Sequence, residues 1–124
     1  MGGRGGASGF SDGNKSGMIS ISDMPKLTGS DKQINWAEKI RENAASVVNN
    51  NINLHKSRIK QYGDIQEYKD GLEAFTYIGK QLGEELKKID SASVLINRRE
   101  TFSPNRIIDL AGKLEEAYRR KRRK

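Results

Sequence analysis

The chain has 124 residues, 34% of them hydrophobic, no cysteine and a formal net charge of +7. This length and apolar content allow one small domain with one core. The absence of cysteine excludes disulfides and thiolate-bound metals, so packing must stabilise the fold. No stretch has the roughly 18 to 20 apolar residues of a membrane span, and the N-terminus has no apolar signal-peptide core. We therefore expect a cytoplasmic protein that does not enter a membrane.

The positive charge is concentrated at the C-terminal end of the chain. Six of the 23 Lys and Arg residues form the run 119–124, which leaves 17 against 16 Asp and Glu residues in the rest of the sequence. Neighbouring cations repel one another. The pattern therefore predicts a nearly neutral body followed by a basic tail, residues 119–124, which should fray the end of the last helix.

The N-terminal residues are rich in glycine. Residues 1–17 contain seven of the 13 glycines and few side chains that could be buried. Ordering such a segment costs backbone entropy without compensating burial, so residues 1–25 are predicted to form a flexible Gly/Ser-rich arm. Within it, Met18, Ile19 and Ile21 alternate with serines and indicate at most a short extended segment.

The stretch SDKQINWAEKIREN, residues 30–43, has the pattern of a capped amphipathic helix. Ser30 and Gln33 have the spacing of a capping box. Apolar residues then recur at three- and four-residue steps, at Ile34, Ala37, Ile40, Ala44, Val47 and Val48, with Trp36 at the edge of the same face. This periodicity predicts one long helix that ends at Tyr62 and Gly63, with the asparagine-rich stretch 49–53 as the place for a bend.

A second helix is predicted directly after Gly63. Asp64 and Glu67 repeat the spacing of a cap, and a short link between two long amphipathic helices indicates an antiparallel hairpin. Its apolar stripe is Ile65, Tyr68, Leu72, Phe75, Gly79, Leu82, Leu86 and Ile89. Gly79 and Gly83 each cost about 1 kcal/mol relative to alanine inside a helix, so we expect another backbone to approach them closely.

The remaining residues predict a short helix and a last long one. Val94 to Ile96 form a compact apolar cluster, and Ser103 with Pro104 marks the start of the last helix, whose apolar stripe is Ile107, Ala111, Leu114 and Tyr118. The predicted fold class is mainly α, a small helical bundle made of a long antiparallel helix hairpin plus a C-terminal helix. The predicted helical domain spans residues 26–118, between the arm and the basic tail.

The sequence contains no recognisable catalytic or metal-binding set. His55 is the only histidine, so a structural or surface role is expected for it. The adjacent pairs Glu84–Glu85 and Glu115–Glu116 point about 100° apart on a helix and do not form a carboxylate dyad. The N-terminal GGRGG lacks the spacing of a phosphate-binding loop, so it is not expected to bind a nucleotide. The alternative role for this stretch is an arginine-bearing arm that contacts a partner. We expect a non-enzymatic protein without metal or cofactor.

Two stretches, LTGSDKQINWAEKIRENA (27–44) and DSASVLINRR (90–99), resemble a small module of bacterial mobile-element proteins. The opening MGGRGGASG is similar to the start of many phage and plasmid proteins from Gram-positive bacteria. Related modules carry tryptophan and Asp-Asn where this chain has VLINRR, and the module has no chemistry assigned to particular residues. Small proteins of this origin include inhibitors of CRISPR nucleases. The resemblance therefore implies a mobile-element protein acting in a bacterial host cell, with a type II anti-CRISPR protein as one identity.

The first functional hypothesis is a mobile-element interaction protein that inhibits a host defence nuclease. Cations that neutralise phosphates release condensed counterions, so a basic run can bind a nucleic-acid backbone without sequence choice. The expected partner is a CRISPR effector nuclease, its guide RNA, or nucleic acid in general. An acidic protein groove would fit the same charges. The predicted contact residues are Arg98, Arg99, Arg106, Arg119, Arg120, Lys121, Arg122, Arg123 and Lys124.

The alternative is a phage structural or packaging accessory protein. Its hairpin would self-associate, as a homodimer or a larger assembly, while the tail touches packaged DNA. Apolar surface at Trp36, Phe75 and Phe102 would serve that assembly, although the core of a monomer also accounts for these residues. A transcriptional regulator is less well supported, because no short helix-turn-helix with a basic recognition helix stands out. A solubilising tail without a partner is the remaining alternative.

Overall fold

A computed structural model describes residues 17–122, in which four α-helices follow a short 3-10 helix at Ile21–Asp23. The α-helices are α1 (Asp31–Tyr62), α2 (Gln66–Lys87), α3 (Ala92–Asn97) and α4 (Pro104–Arg122). The predicted fold class, a small helical bundle with a long hairpin and a C-terminal helix, is confirmed. Within residues 17–122 there is no strand, and the short extended segment predicted near Ile21 is instead the 3-10 helix.

Helices α1 and α2 form the predicted antiparallel hairpin. Ser30 and Gln33 complete a reciprocal capping box at the start of α1, and Gly63, at φ +93°, ends it with its N–H bonded to the Ile59 carbonyl. The pairing is antiparallel because Tyr62 meets Tyr68 beside the turn, whereas more distant α1 residues meet later residues of α2. The side-chain cap predicted at Asp64 is wrong: α2 starts after Ile65 without a side-chain cap bond.

The core lies between α1, α2 and α4, and α3 closes one end of it. Most positions of the predicted stripes are buried or half-buried, although Ile65 is exposed. The largest fully buried side chains are Phe102, Ile52, Leu86, Leu95, Ile107 and Val48. Their burial follows from the three- and four-residue spacing, which places one apolar stripe on each helix. Phe75 and Phe102 are therefore core residues rather than assembly surface.

Residues 17–25 pack onto the hairpin, which differs from the predicted division at residue 25. Asn49, in the asparagine-rich stretch, donates to the Ile19 carbonyl at 2.9 Å and accepts from the Ile19 N–H at 2.8 Å. The buried Arg41 side chain donates to the Pro25 carbonyl at 2.8 Å. The reason is that side chains of α1 bond to the backbone of this segment. These contacts are distant in sequence, so the local composition of residues 17–25 does not show them. Residues 1–16 of the predicted arm lie outside the described residues.

The two stretches that carry the mobile-element resemblance lie side by side. The Thr28 N–H donates to the Asp90 carbonyl and the Ala92 N–H to the Thr28 carbonyl, each at 2.8 Å, which forms an isolated parallel bridge. Further along, the Arg99 guanidinium lies 5.5 Å from the centroid of the Trp36 ring. The stretches 27–44 and 90–99 are therefore one structural unit at the α3 end of the bundle.

Helix α4 runs antiparallel to α2 and continues past the predicted boundary at residue 118. Its first half contacts the C-terminal half of α2, where Leu110 lines a groove with Leu82, and its end reaches Asp70 near the start of α2. Pro104 begins the helix as predicted, with the Arg106 N–H donating to the Ser103 hydroxyl. Residues 119–122 are helical rather than a separate tail, because Arg122 bonds to Asp70 of α2. Arg123 and Lys124 lie outside the described residues.

Candidate nucleic-acid interface

The predicted contact residues form two separate groups in the structure. The C-terminal basic cluster consists of Arg119, Arg120, Lys121 and Arg122 in the last turns of α4. The loop cluster consists of Arg98, Arg99 and Arg106, at the opposite end of α4. Because a helix rises 1.5 Å per residue, Arg106 and Arg119 are separated by about 20 Å along α4. The structure therefore does not bring all the predicted residues into one site.

Two arginines of the loop cluster are engaged in contacts that hold the α3 region. Arg98 donates to Glu85 of α2 at 2.9 Å, and its guanidinium lies 5.4 Å from the Phe102 ring centroid. Arg99 donates to the Ile96 carbonyl at 3.0 Å and also covers Trp36. Cation–π contacts of this kind contribute about 0.5–1 kcal/mol at exposed sites. These arginines consequently have structural partners, whereas the Arg106 side chain is exposed.

A buried carboxylate fixes the end of α4. Asp70 is only 4% exposed, and both its oxygens accept from Arg122, at 2.8 and 2.5 Å, while Gln66 donates to one of them at 3.0 Å. The hydrogen bond from Arg122 is the main reason why the pKa of Asp70 is lowered, in opposition to burial. A bidentate pair with a carboxylate that has little water is stronger than an exposed one. It offsets the repulsion among the neighbouring cations, so the last turn stays helical.

The other cations of this cluster are more open to solvent: Arg120 is exposed, and the Arg119 side chain is 45% exposed. Arg119 and Arg120 reach Glu116 at 2.5 and 3.4 Å, and Arg119 is the main reason why the pKa of Glu116 is lowered. Surface pairs between neighbouring turns are weak and screened by salt. An incoming phosphate can therefore compete for both guanidinium groups. Lys121 is exposed as well, so three cations are accessible on a helix whose position is fixed by Arg122.

A polar cleft of about 550 Å³ opens where the hairpin turn meets α4. Its lining residues are His55, Arg58, Tyr62, Glu67, Tyr68 and Glu115. Glu115 precedes Arg119 by about one helical turn, so the cleft adjoins the C-terminal basic cluster. The cleft was not predicted from the sequence, although the two tyrosines that flank the hairpin turn were a signal for it.

His55 forms part of the inner wall of the cleft. Its ring stacks on Phe75 with centroids 5.9 Å apart, and it occupies the space above Gly71, where an added Cβ would lie 2.4 Å from the imidazole. Burial, followed by the charge of Arg58, lowers the pKa of His55. Nδ1 is buried without a hydrogen-bond partner in the described part of the chain. The imidazole therefore acts as a packing group in its neutral form.

Among residues 17–122, no group of three His, Cys, Asp or Glu side chains is placed to hold a metal ion. None of the described helices combines the length and apolar content needed to cross a membrane.

Comparison with known proteins gave no family assignment. No family model matches the chain, and neither the curated proteins nor the solved structures gave a significant match.

Proposed function

We propose that the chain is a non-enzymatic interaction protein that binds a nucleic-acid backbone through the C-terminal basic cluster. The observation that carries this proposal is the fixed position of Arg119, Arg120 and Lys121, which are exposed on a helix that Arg122 fastens to Asp70. Cations on a rigid helix lose less conformational freedom on binding than cations on a loose tail. Such contacts provide affinity without sequence choice.

In the host cell, we propose that this binding inhibits a defence nuclease. The sequence resemblance to mobile-element proteins and the accessible cations together support this role. A protein that covers the phosphates of a guide RNA, or occupies the nucleic-acid channel of the effector, would block the nuclease without any chemistry of its own. The expected location is the bacterial cytoplasm, where a CRISPR effector and its guide assemble.

An assembly role is the second candidate, and one surface feature favours it. An apolar groove of about 240 Å³ lies between α2 and α4. Its lining residues are Tyr77, Ile78, Gln81, Leu82, Leu110 and Leu114. Exposed apolar surface of this kind can join two copies of a chain. A stable dimer or higher oligomer in light scattering over a dilution series would favour the structural or packaging role.

The nucleic-acid proposal predicts the effect of neutralising the cluster. The triple variant Arg119→Gln/Arg120→Gln/Lys121→Gln should weaken binding to a labelled RNA by more than about tenfold at physiological salt, because it loses three phosphate contacts. Fluorescence anisotropy measures the affinity, and circular dichroism checks that the helices persist.

The matched control is Lys26→Gln/Lys32→Gln/Lys39→Gln, which removes the same charge from exposed positions near the start of α1. It should change the affinity much less. Equal weakening by both variants would mean that only net charge matters and would refute the cluster as the site. Adding the wild-type protein to a programmed Cas9-type nuclease should slow target cleavage, and the triple variant should not. Unimpeded cleavage would refute the inhibitor role for that nuclease class.

A further inference from the structure

We propose that the nucleic acid held by the C-terminal basic cluster is single-stranded, and that Tyr62 and Tyr68 stack on its bases. This inference rests on the proposed nucleic-acid function and names the form of the ligand. It is carried by the juxtaposition of two features at the same end of the bundle: an aromatic pair at the hairpin turn and the cations at the end of α4.

The two tyrosines form an aromatic pair in which Tyr62 is exposed and Tyr68 is half-buried. Tyr62, the last residue of α1, is 58% exposed, and its ring centroid is 6.2 Å from that of Tyr68 with a tilt of 42°. The Arg58 guanidinium lies 5.6 Å from the Tyr68 centroid. Aromatic rings and arginine planes are the groups on which proteins stack unpaired bases. The Tyr62 ring contributes little to the core, so packing does not account for an aromatic side chain at this position.

The phosphate-binding groups lie within reach of the same strand. Arg122 contacts Asp70, which follows Tyr68 by about 3 Å along the axis of α2. Arg119 is close enough to Asp70 and Glu115 to influence the pKa of both carboxyl groups. The cations and the tyrosine pair therefore occupy neighbouring positions on one end of the bundle, where consecutive nucleotides could contact both.

The carboxylates that line the cleft favour bases over phosphates as its occupants. Glu67 and Glu115 line it, and carboxylates repel the phosphate backbone but accept hydrogen bonds from the exocyclic amino groups of bases. Its volume of about 550 Å³ lies within the range of small-ligand sites. Bases would enter the cleft while the phosphates remain outside on Arg119, which lies one helical turn after Glu115 on the same face of α4. Duplex bases are already stacked on each other, so this arrangement selects a single strand.

The experiment compares an unstructured labelled RNA of about 12 nucleotides with a duplex of the same length, a size within the range of known single-strand sites. The variant Tyr62→Leu/Tyr68→Leu should bind the single strand about tenfold or more weakly, because each lost base stack carries a factor of about five or more and the variant loses two. Its duplex affinity should stay unchanged. Tyr62→Phe/Tyr68→Phe keeps both rings and should retain most of the single-strand affinity, and urea unfolding checks that both variants fold.

Trp36→Leu is the matched control, since Trp36 is a half-exposed aromatic residue at the opposite end of the bundle. It should leave both affinities unchanged, and an effect equal to that of the tyrosine variant would overturn the assignment. Equal affinity of the wild type for single strand and duplex would also overturn it. If the Arg119/Arg120/Lys121 variant loses binding while the leucine variant retains it, the stacking inference fails and the proposed function stands. If the wild type binds neither RNA, both fail.

Discussion

Asp70 and Arg122 form the contact that decides how the last helix ends. The carboxylate is almost excluded from water, whereas the Arg122 side chain is 42% exposed and can turn to solvent when its partner is removed. The loss of Arg122 and the loss of Asp70 should therefore have unequal effects on stability. Removing Arg122 leaves a buried carboxylate with Gln66 as its remaining side-chain donor, so Arg122→Gln should destabilise the protein more than Asp70→Asn.

The same contact predicts a pH dependence at the residue scale. Because Arg122 holds the pKa of Asp70 below its usual value, the pair stabilises the fold fully above about pH 4, and this stabilisation is lost as the pH falls through the folded-state pKa. Asp70→Asn should lower stability at neutral pH by about 1 kcal/mol, less than is usual for a hydrogen bond to a charged group because solvent reaches Arg122.

Urea unfolding at pH values from neutral to about 2 measures this effect. The difference in unfolding free energy between wild type and Asp70→Asn should shrink below about pH 4. A difference that stays constant across this range would contradict the assignment of Asp70 as the titrating group.

At the scale of elements, Gly79 explains how the N-terminal segment can lie on α2. A Cβ built on Gly79 would be 1.9 Å from the Gly17 carbonyl oxygen and 3.0 Å from Val48 Cγ1. The close approach predicted for this glycine is thus present, and its partner is the backbone before α1. Gly83 is different, because the nearest neighbour of its added Cβ is Ile19 Cγ1 at 4.0 Å, an ordinary contact.

Gly79→Ala should therefore detach or shift residues 17–19. Overpacking costs about 1–3 kcal/mol, and the better helix propensity of alanine returns at most about 1 kcal/mol. We expect a net loss of stability in urea unfolding and faster amide exchange at Ile19, whose N–H is bonded to Asn49. Gly112→Ala is the matched control, because Gly112 is exposed in α4 with nothing within 4 Å of an added Cβ, so it should stabilise. The same change in stability at both positions would refute the steric explanation.

At the scale of the whole molecule, the C-terminal positive charge is not a tail separate from the packed body, contrary to what the sequence alone indicates. Arg122 belongs to the packed body through Asp70, so at most five cations of the run 119–124 are available to a ligand. The cations of the loop cluster lie at the other end of the bundle. Under the proposed function, a strand of a few nucleotides would therefore meet one cluster, and only a longer nucleic acid could contact both.

This distribution predicts the salt dependence of binding. For duplex DNA, five neutralised phosphates would give a slope of about −4.5 in a plot of log affinity against log salt, as an upper limit, and single strands give about −3.5. Arg119→Gln should reduce the magnitude of the slope by about 0.7 to 0.9, because one phosphate contact is lost. Arg106→Gln, in the loop cluster, is the comparison and should leave the slope for a short strand unchanged. A smaller slope for both variants would show that the strand contacts both ends of α4.

The helices and their hairpin follow from local patterns in the sequence. The Ser30 cap, the Gly63 terminus, the Pro104 start and the apolar stripes depend on contacts between residues up to about four positions apart, which the sequence displays directly. Which side chains come together at the candidate site depends instead on tertiary packing. Asp70 and Arg122 are far apart in the chain, and so are Asn49 and Ile19, so their pairing depends on which helix faces meet. The same packing separated Arg98, Arg99 and Arg106 from the C-terminal basic cluster and placed Tyr62 and Tyr68 beside that cluster instead.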